Sequence, residues 1–207
     1  MHIAVAGNIG SGKTTLTKML ADYYGWKGAF EEVDNNPYLK DFYLDMHRWS
    51  FQLEVFFLNH RFHQLEGIKR AKQTVIQDRT IYEGTEIFAE NLFHSGFISD
   101  RDFRNLMDLY QIMTQVVAPP DLLIYLRSDL AKLEQQIKVR GRDFEKTIDL
   151  KYIENLNWRY EKWIRDYSRG RILILDVNEL DYVNNPADFK FIVEQIDIDL
   201  DEIHQFA

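Results

Sequence analysis

Residues 1–16, Met1-His2-Ile3-Ala4-Val5-Ala6-Gly7-Asn8-Ile9-Gly10-Ser11-Gly12-Lys13-Thr14-Thr15-Leu16, decide the fold. Ile3–Ala6 is a short apolar run of the kind found in strands buried on both faces of a parallel sheet. Gly7 to Thr14 matches GxxxxGK[ST], and an amphipathic stretch begins directly behind it. Strand, glycine-rich turn and helix in that order are the context in which this spacing holds phosphate. Glycines let backbone N–H groups turn inward around phosphate oxygens, and the helix N-terminus adds partial positive charge. Gly7, Asn8, Ile9, Gly10, Ser11, Gly12, Lys13, Thr14 and Thr15 are therefore the expected nucleotide cradle. Lys13 is placed to reach the β- and γ-phosphates and the Thr14 hydroxyl to ligate Mg²⁺.

Outward from this stretch, apolar runs alternate with helical patterns, which points to an α/β fold with a parallel sheet and covering helices. Strands are expected at Ile3–Ala6, Ala29–Glu32, Thr74–Gln77, Leu122–Leu126 and Ile172–Leu175. Helices are expected near 13–24, 47–70, 82–94, 100–117, 129–139, 149–168 and 187–204. In the second helix Phe51, Val55, Leu58, Phe62 and Leu65 form one apolar stripe, read as packing surface. The 207 residues suit a single domain over 1–207.

Composition narrows the function classes. Thirty-three acidic residues against 25 basic ones give a net charge of −8, which argues against a general nucleic-acid binder. The chain has no cysteine, so disulfides, thiolate metal sites and cysteine nucleophiles are excluded. The histidines form no metal-ligand pattern. No apolar run is long enough to span a membrane, and the N-terminus does not read as a signal peptide. A cytoplasmic location is the expectation.

Two further features complete a nucleotide site. Thr74-Val75-Ile76-Gln77-Asp78 ends in an acid that can hold magnesium, followed at once by Arg79; Asp176, after Leu173-Ile174-Leu175, competes for that role. Lys138, Arg140, Gly141 and Arg142 make a basic turn between two helical patterns, suited to close over ATP and stabilise a phosphoryl group in transfer. A GTPase switch is disfavoured: there is no Asn-Lys pair, and the DxxG at Asp22–Gly25 falls at a helix end.

The chain resembles the deoxynucleoside kinases related to deoxycytidine, deoxyguanosine and deoxyadenosine kinases. The resemblance rests on GNIGSGKTT at 7–15, Glu31-x-Val33 with Asn36-Pro37-Tyr38, and Arg48-Trp49-Ser50-Phe51. It continues through Asp78-Arg79-Thr80-Ile81-Tyr82, Leu123–Arg127, Arg140-Gly141-Arg142 and Leu175–Asn178, so it covers nearly the whole chain. It implies a P-loop kinase fold with a five-stranded parallel sheet and an Arg-rich lid at about 138–148, ATP and Mg²⁺ as donor and metal, and a homodimer.

Position by position, the resemblance makes Glu31 the general base on the nucleoside 5′-hydroxyl. The family usually has Pro next, where this chain has Glu32, and strand alternation lets only one of the two acids face the site. It makes Tyr43 and Glu145 the pair on the sugar 3′-hydroxyl and Arg79 the group fixing the 5′ end, with Asp78 beside it. Arg140 and Arg142 become lid arginines, and Asp176 to Leu180, including Asn178, the loop under the ATP adenine. Gln136 departs from the arginine some relatives carry there.

For the base, Glu54 and Arg61 are seven residues apart on one helix face, separated by roughly 10 Å of axis. The family commonly has Gln at the Glu54 position. A carboxylate only accepts hydrogen bonds, and guanine offers N1–H and the 2-amino group as donors, with O6 and N7 for Arg61. Gly84 stands where many relatives pair an Asp with the arginine, which would free Arg61 and open space for a purine. Deoxyguanosine is the first expectation and deoxyadenosine the second. The alternative for Glu54 is a pairing with Arg61 through water, or with His60 or Lys69 nearby, and no selective role. Phe30, Tyr43, Trp49, Phe57 and Phe88 are candidates to wall the base cleft. A nucleoside monophosphate kinase and a non-catalytic nucleotide-binding subunit are the rival readings; the first would need a second basic pocket.

Overall fold

In the computed structural model, which describes every residue except Glu32, Asp34, Asp143, Phe144, Lys146, Thr147 and Ala207, the apolar runs assemble into one parallel sheet. Its strands are β1 (His2–Gly7), β2 (Lys27–Ala29), β3 (Val75–Asp78), β4 (Leu122–Arg127) and β5 (Arg171–Asp176). Their order is β2-β3-β1-β4-β5, with Ile3 opposite Ile76 on one side and Leu122 on the other. β1 is central, so the cradle at its C-terminal end has strand ends on both sides. Ligands bind at that position in open α/β sheets.

Two strand expectations change. β2 is earlier than Ala29–Glu32: Lys27, Gly28 and Ala29 pair with Val75, Ile76 and Gln77. The chain leaves the ladder before Glu31, which is thereby available to a cavity rather than to a sheet face. Glu32 lies outside the described residues, as do residues 143–144 and 146–147 of the expected lid. β5 runs one residue beyond Ile172–Leu175 at each end, and as the sheet edge it leaves Ile174 41% exposed.

The helices are α1 (Lys13–Tyr24), α2 (Leu39–Leu44), α3 (Met46–Arg70), α4 (Ile81–Glu83), α5 (Glu90–His94), α6 (Asp100–Thr114), α7 (Leu130–Arg140), α8 (Leu150–Arg165) and α9 (Pro186–Phe206). The α2 turn was not anticipated. It meets α3 at Asp45, whose carboxylate caps α3 by accepting from the Arg48 N–H at 3.1 Å. The helix expected over 82–94 is broken by a π-helical turn, Gly84–Ala89, between α4 and α5. Such turns widen a helix by one residue per turn and recur at functional sites.

Alternation along β1 sorts the core. Ile3 and Val5 pack with Leu16, Leu20, Ile192 and Ile196 of α1 and α9. Ala4 and Ala6 face the opposite side, with Leu53 and Phe57 of α3 and Ile153, Leu156 and Tyr160 of α8. Helix α3 is buried on two faces. Leu58 and Leu65 of the sequence stripe pack on Leu106 and Tyr110 of α6, with Phe51, Val55 and Phe62 partly buried beside them. The other face, Ser50, Leu53, Glu54, Phe57 and Arg61, turns inward. A stripe built from apolar residues alone cannot reveal that second face, because it mixes carboxyl and guanidinium groups with hydrophobic ones.

Candidate active site

The phosphate cradle is held in a shape that only its glycines permit. Gly10 and Gly12 have φ of +86° and +89°. A Cβ on Gly10 would lie 2.8 Å from the Leu133 carbonyl oxygen, and one on Gly12 would run into the Tyr182 hydroxyl. Asn8 fastens the loop to α8, donating from Nδ2 to the Ile153 carbonyl at 3.0 Å and to Asn157 Oδ1 at 3.1 Å. Lys13 is buried and donates to the Asn8 carbonyl at 2.8 Å, so it is folded back onto the loop. Burial, and after it the nearby Arg79, lower its pKa to about 7, with Asp78 working against both.

Asp78, at the end of β3, accepts from the Thr14 hydroxyl at 2.5 Å through Oδ2. Its other oxygen, Oδ1, is buried without a partner. Burial raises this carboxyl, and Lys13 pulls it back. A hydroxyl and a carboxylate with a spare lone pair form a donor set suited to a hard cation such as Mg²⁺, which takes only one or two protein ligands beside phosphates.

Asp176, the competing acid, is placed elsewhere. Its Oδ1 accepts from the Asn178 N–H at 3.0 Å, and Asn178 Oδ1 accepts from the Asp129 N–H at 2.8 Å. Both therefore brace the turn after β5. The hollow beside the cradle is lined instead by Val177, Leu180, Asp181 and Tyr182, with Gly10, Ser11, Thr15 and Gln136. Val177 and Leu180 belong to the 176–180 segment expected beside the nucleotide, so the segment reaches the hollow through its apolar residues while the Asp176 and Asn178 side chains brace it.

A second cavity opens from the cradle, with about 770 Å³ of empty space partly open to solvent. Ile9, Lys13, Thr14, Glu31, Tyr43, Glu54, Arg61, Asp78, Arg79, Arg140, Arg142 and Glu145 all line it. Most of the polar residues singled out in the sequence thus meet in one place. Phe57, Phe88 and Tyr43 wall it, whereas Phe30 and Trp49 do not. The π turn brings Phe88 to Arg79, whose guanidinium lies 4.4 Å from the ring centre; Arg61 lies 4.8 Å from that of Phe57.

Glu31 bridges two arginines. Arg61 Nη2 donates to Glu31 Oε1 at 2.5 Å, and Arg79 Nε lies 3.6 Å from the same oxygen. Burial would raise the Glu31 carboxyl, but Arg61, Arg79 and Lys13 together hold it below its ordinary value. Arg79 itself has φ of +69°, an uncommon conformation for a non-glycine residue and one that clusters at functional sites.

That strained residue is anchored by Glu83, which the sequence reading passed over. Fully buried, Glu83 accepts from the Gly7 N–H at 3.3 Å, the Tyr160 hydroxyl at 2.9 Å and the Thr80 N–H at 2.8 Å. Arg79 Nη1 donates to the Tyr160 hydroxyl at 2.5 Å. One carboxylate therefore ties the cradle, the end of β3 and α8 together. The signal was present as a capping box, Thr80-x-x-Glu83.

The purine-side residues are not arranged as the sequence suggested. Gly84 does leave space, but the Arg61 guanidinium fills it: a Cβ there would collide with Arg61 Nη1. Arg61 is engaged by Glu31 rather than freed. Glu54 is 5% exposed, and among the described residues it has no hydrogen-bond or ion-pair partner. Burial raises its pKa to about 8, with Arg61 and Arg79 only partly opposing this. Among the described residues Glu54 makes no direct hydrogen bond or ion pair with Arg61, His60 or Lys69.

On the far side, Arg140 forks onto Glu145, with Nε to Oε2 at 3.0 Å and Nη2 to Oε1 at 2.6 Å. Arg142 Nη1 lies 3.5 Å from Oε1. Both lid arginines thus converge on a carboxylate that is itself 5% exposed.

A sequence model described as deoxynucleoside kinase matches residues 3–200. The chain belongs to the deoxynucleoside kinase family. It is 41% identical to the deoxyadenosine/deoxycytidine kinase of Bacillus subtilis (strain 168), over 94% of this chain and 90% of that one. It is 37% identical to the deoxyguanosine kinase of the same organism, over 94% and 95%. A solved structure of deoxyadenosine kinase from M. mycoides with bound dATP superposes with a TM-score of 0.85 at 28% identity, covering 95% of this chain and 100% of that one. As a deoxynucleoside kinase the chain is a phosphotransferase acting on small-molecule nucleosides, and its five-stranded parallel sheet is the P-loop kinase fold of the family. Among the described residues no helix is long and apolar enough to cross a membrane.

Proposed function

We propose that this deoxynucleoside kinase transfers the γ-phosphoryl group of ATP to the 5′-hydroxyl of a purine deoxynucleoside. The observation that carries the reading is the shared cavity. Lys13, Thr14 and Asp78 line it together with Glu54 and Arg61, and Glu31 links Arg61 to Arg79. A nucleoside lying between the two groups brings its 5′-hydroxyl to Glu31 and the donor phosphates to the cradle.

The new bond joins the 5′-oxygen to the γ-phosphorus. The bond from that phosphorus to the β–γ bridging oxygen breaks and ADP leaves. Such transition states are loose, so positioning and charge neutralisation dominate. Glu31, kept ionised by its two arginines, orients the hydroxyl and receives its proton. Arg79, fixed by Tyr160, holds the 5′ end. Lys13 exchanges the Asn8 carbonyl for a phosphate oxygen, and Arg140 and Arg142 turn from Glu145 toward the phosphoryl group. Tyr43 and Glu145 take the sugar 3′-hydroxyl. Thr14 and Asp78 are the residues that would hold Mg²⁺. When bound, the ion neutralises phosphate charge.

The base is read by Glu54, with Arg61, whose guanidinium is seated over Gly84, shaping that end. Guanine was the first expectation because a carboxylate only accepts. Burial of Glu54 weakens that premise at neutral pH and brings deoxyadenosine level with deoxyguanosine. Relatives named for deoxyadenosine/deoxycytidine and for deoxyguanosine are both similar to this chain, which supports keeping both bases. Leu109, Ile112 and Val116 are exposed on and just beyond α6, which supports the homodimer as part of the same reading.

The test is a competition among the four natural deoxynucleosides with Mg²⁺-ATP, resolving the monophosphates formed. Purine monophosphates are expected to predominate. ATP binding with no product would overturn the reading in favour of a regulatory or monophosphate-kinase role.

A further inference from the structure

We propose that Glu54 reads the base in either of two protonation states, so that proton concentration sets the preference between adenine and guanine. The inference rests on the kinase reading above and concerns what selects its substrate.

Glu54 combines three properties. It lines the cavity, it is almost completely buried, and no described residue hydrogen-bonds to it or forms an ion pair with it. The nearest cation on its own helix, Arg61, is committed to Glu31. A buried carboxyl aimed into an open cavity without a partner is completed by whatever enters the cavity.

Its surroundings decide its charge. The groups acting on Glu54 are Arg61 of α3, Glu31 of the segment after β2, Arg79 at the end of β3 and Tyr152 of α8. Tyr43 of α2 faces Tyr152 across the same cavity. Glu31 works against the two arginines at Glu54. Burial then prevails, and the ligand-free group changes charge near pH 8.

The two states present opposite patterns. A neutral carboxyl offers one O–H donor and one carbonyl acceptor. Adenine matches it with N1 as acceptor and the 6-amino group as donor, and cytosine offers the same pair. A carboxylate offers two acceptors, which match N1–H and the 2-amino group of guanine. Each state leaves an unpaired or repelling contact with the other purine. A site built to hydrogen-bond one pattern rejects the other strongly.

Internal competition isolates this effect. Deoxyadenosine and deoxyguanosine are mixed with Mg²⁺-ATP and wild-type enzyme from about pH 6.5 to about pH 8.5, below the range in which guanine N1 loses its own proton. Titrations that serve both substrates, including those of Glu31 and Lys13, cancel in the ratio of products. The dGMP to dAMP ratio is expected to rise at least about tenfold, with a slope approaching tenfold per pH unit below the transition. In Glu54→Gln, which keeps one donor and one acceptor, the ratio should favour dAMP and stay within about twofold across the range.

A flat wild-type ratio overturns the proposal, whether or not the variant folds. An equal rise in Glu54→Gln also overturns it, by assigning the effect to another group. Absence of any monophosphate overturns the kinase reading itself, a result distinguishable from a flat ratio.

Discussion

Arg61 donates to Glu31 at 2.5 Å, so the guanidinium expected to address the base instead holds the carboxylate expected to activate the 5′-hydroxyl. The two ends of the substrate site are therefore electrostatically linked. Removing Arg61 should raise the Glu31 carboxyl toward and beyond its ordinary value, because burial would then be opposed only by Arg79 and Lys13. Glu31 must be ionised to take a proton. In Arg61→Met the acid limb of the kcat/KM profile should accordingly move to higher pH, by about one unit or more. An acid limb in the same place would show that Arg61 does not set the ionisation of Glu31.

Glu31 is central in that arrangement, yet among the described residues it makes no hydrogen bond or ion pair with the glycine-rich cradle and acts on Lys13 only through its field. Glu31→Gln should lower kcat by roughly 10²–10⁴-fold, the usual size of a general-base contribution. ATP affinity, measured by titration calorimetry in the absence of nucleoside, should stay close to that of the wild type. Near-full turnover in this variant would remove Glu31 from the chemistry.

Gly84 is a test of packing rather than of backbone freedom. Its φ is −55°, which any residue adopts, but a Cβ would collide with Arg61 Nη1. Alanine gains up to about 1 kcal/mol of helix propensity over glycine, offsetting part of the cost of moving a buried guanidinium. Gly84→Ala should therefore keep its unfolding free energy within about 1 kcal/mol of the wild type while raising the KM for the nucleoside. Chemical denaturation and steady-state kinetics separate the two effects. A large loss of stability with unchanged KM would mean that Arg61 cannot yield and that Gly84 has a structural role only.

The elements most legible in the sequence were those with a local signature. The cradle, α1 and Asp78 at the end of β3 could be read because glycine spacing, apolar runs and strand-terminal acids are short-range patterns. Glu31 and Arg79 came from family resemblance, and nothing local distinguishes Glu31 from Glu32. What escaped was set by tertiary contact. Arg61 was read as free because its partner is thirty residues away in the chain. The neutral tendency of Glu54 depends on burial by residues of several elements, and a sequence shows charge but not solvent exclusion. The π turn at Gly84–Ala89 looked like ordinary helix because its periodicity differs by only one residue per turn.

Burial of Glu54 also has a consequence for the protein without any ligand. An acid whose folded pKa is raised from the ordinary 4.5 to about 8 binds a proton in the folded state that the unfolded chain has released over that interval. Stability therefore falls as pH rises from about 4.5 to about 8, and the loss levels off above that. The sign is opposite to that of a carboxylate in an ion pair. Each pH unit of the interval is worth at most about 1.4 kcal/mol, so the whole effect is on the order of a few kcal/mol. Glutamine keeps the shape of the side chain and has no proton to lose. Compared with the wild type, Glu54→Gln should gain unfolding free energy at about pH 8.5 and show little or no gain near pH 4.5, by roughly 2–4 kcal/mol between the two. Urea denaturation at both pH values measures it directly. A difference between the two proteins that does not change with pH would place the Glu54 carboxyl in contact with solvent or a hidden cation.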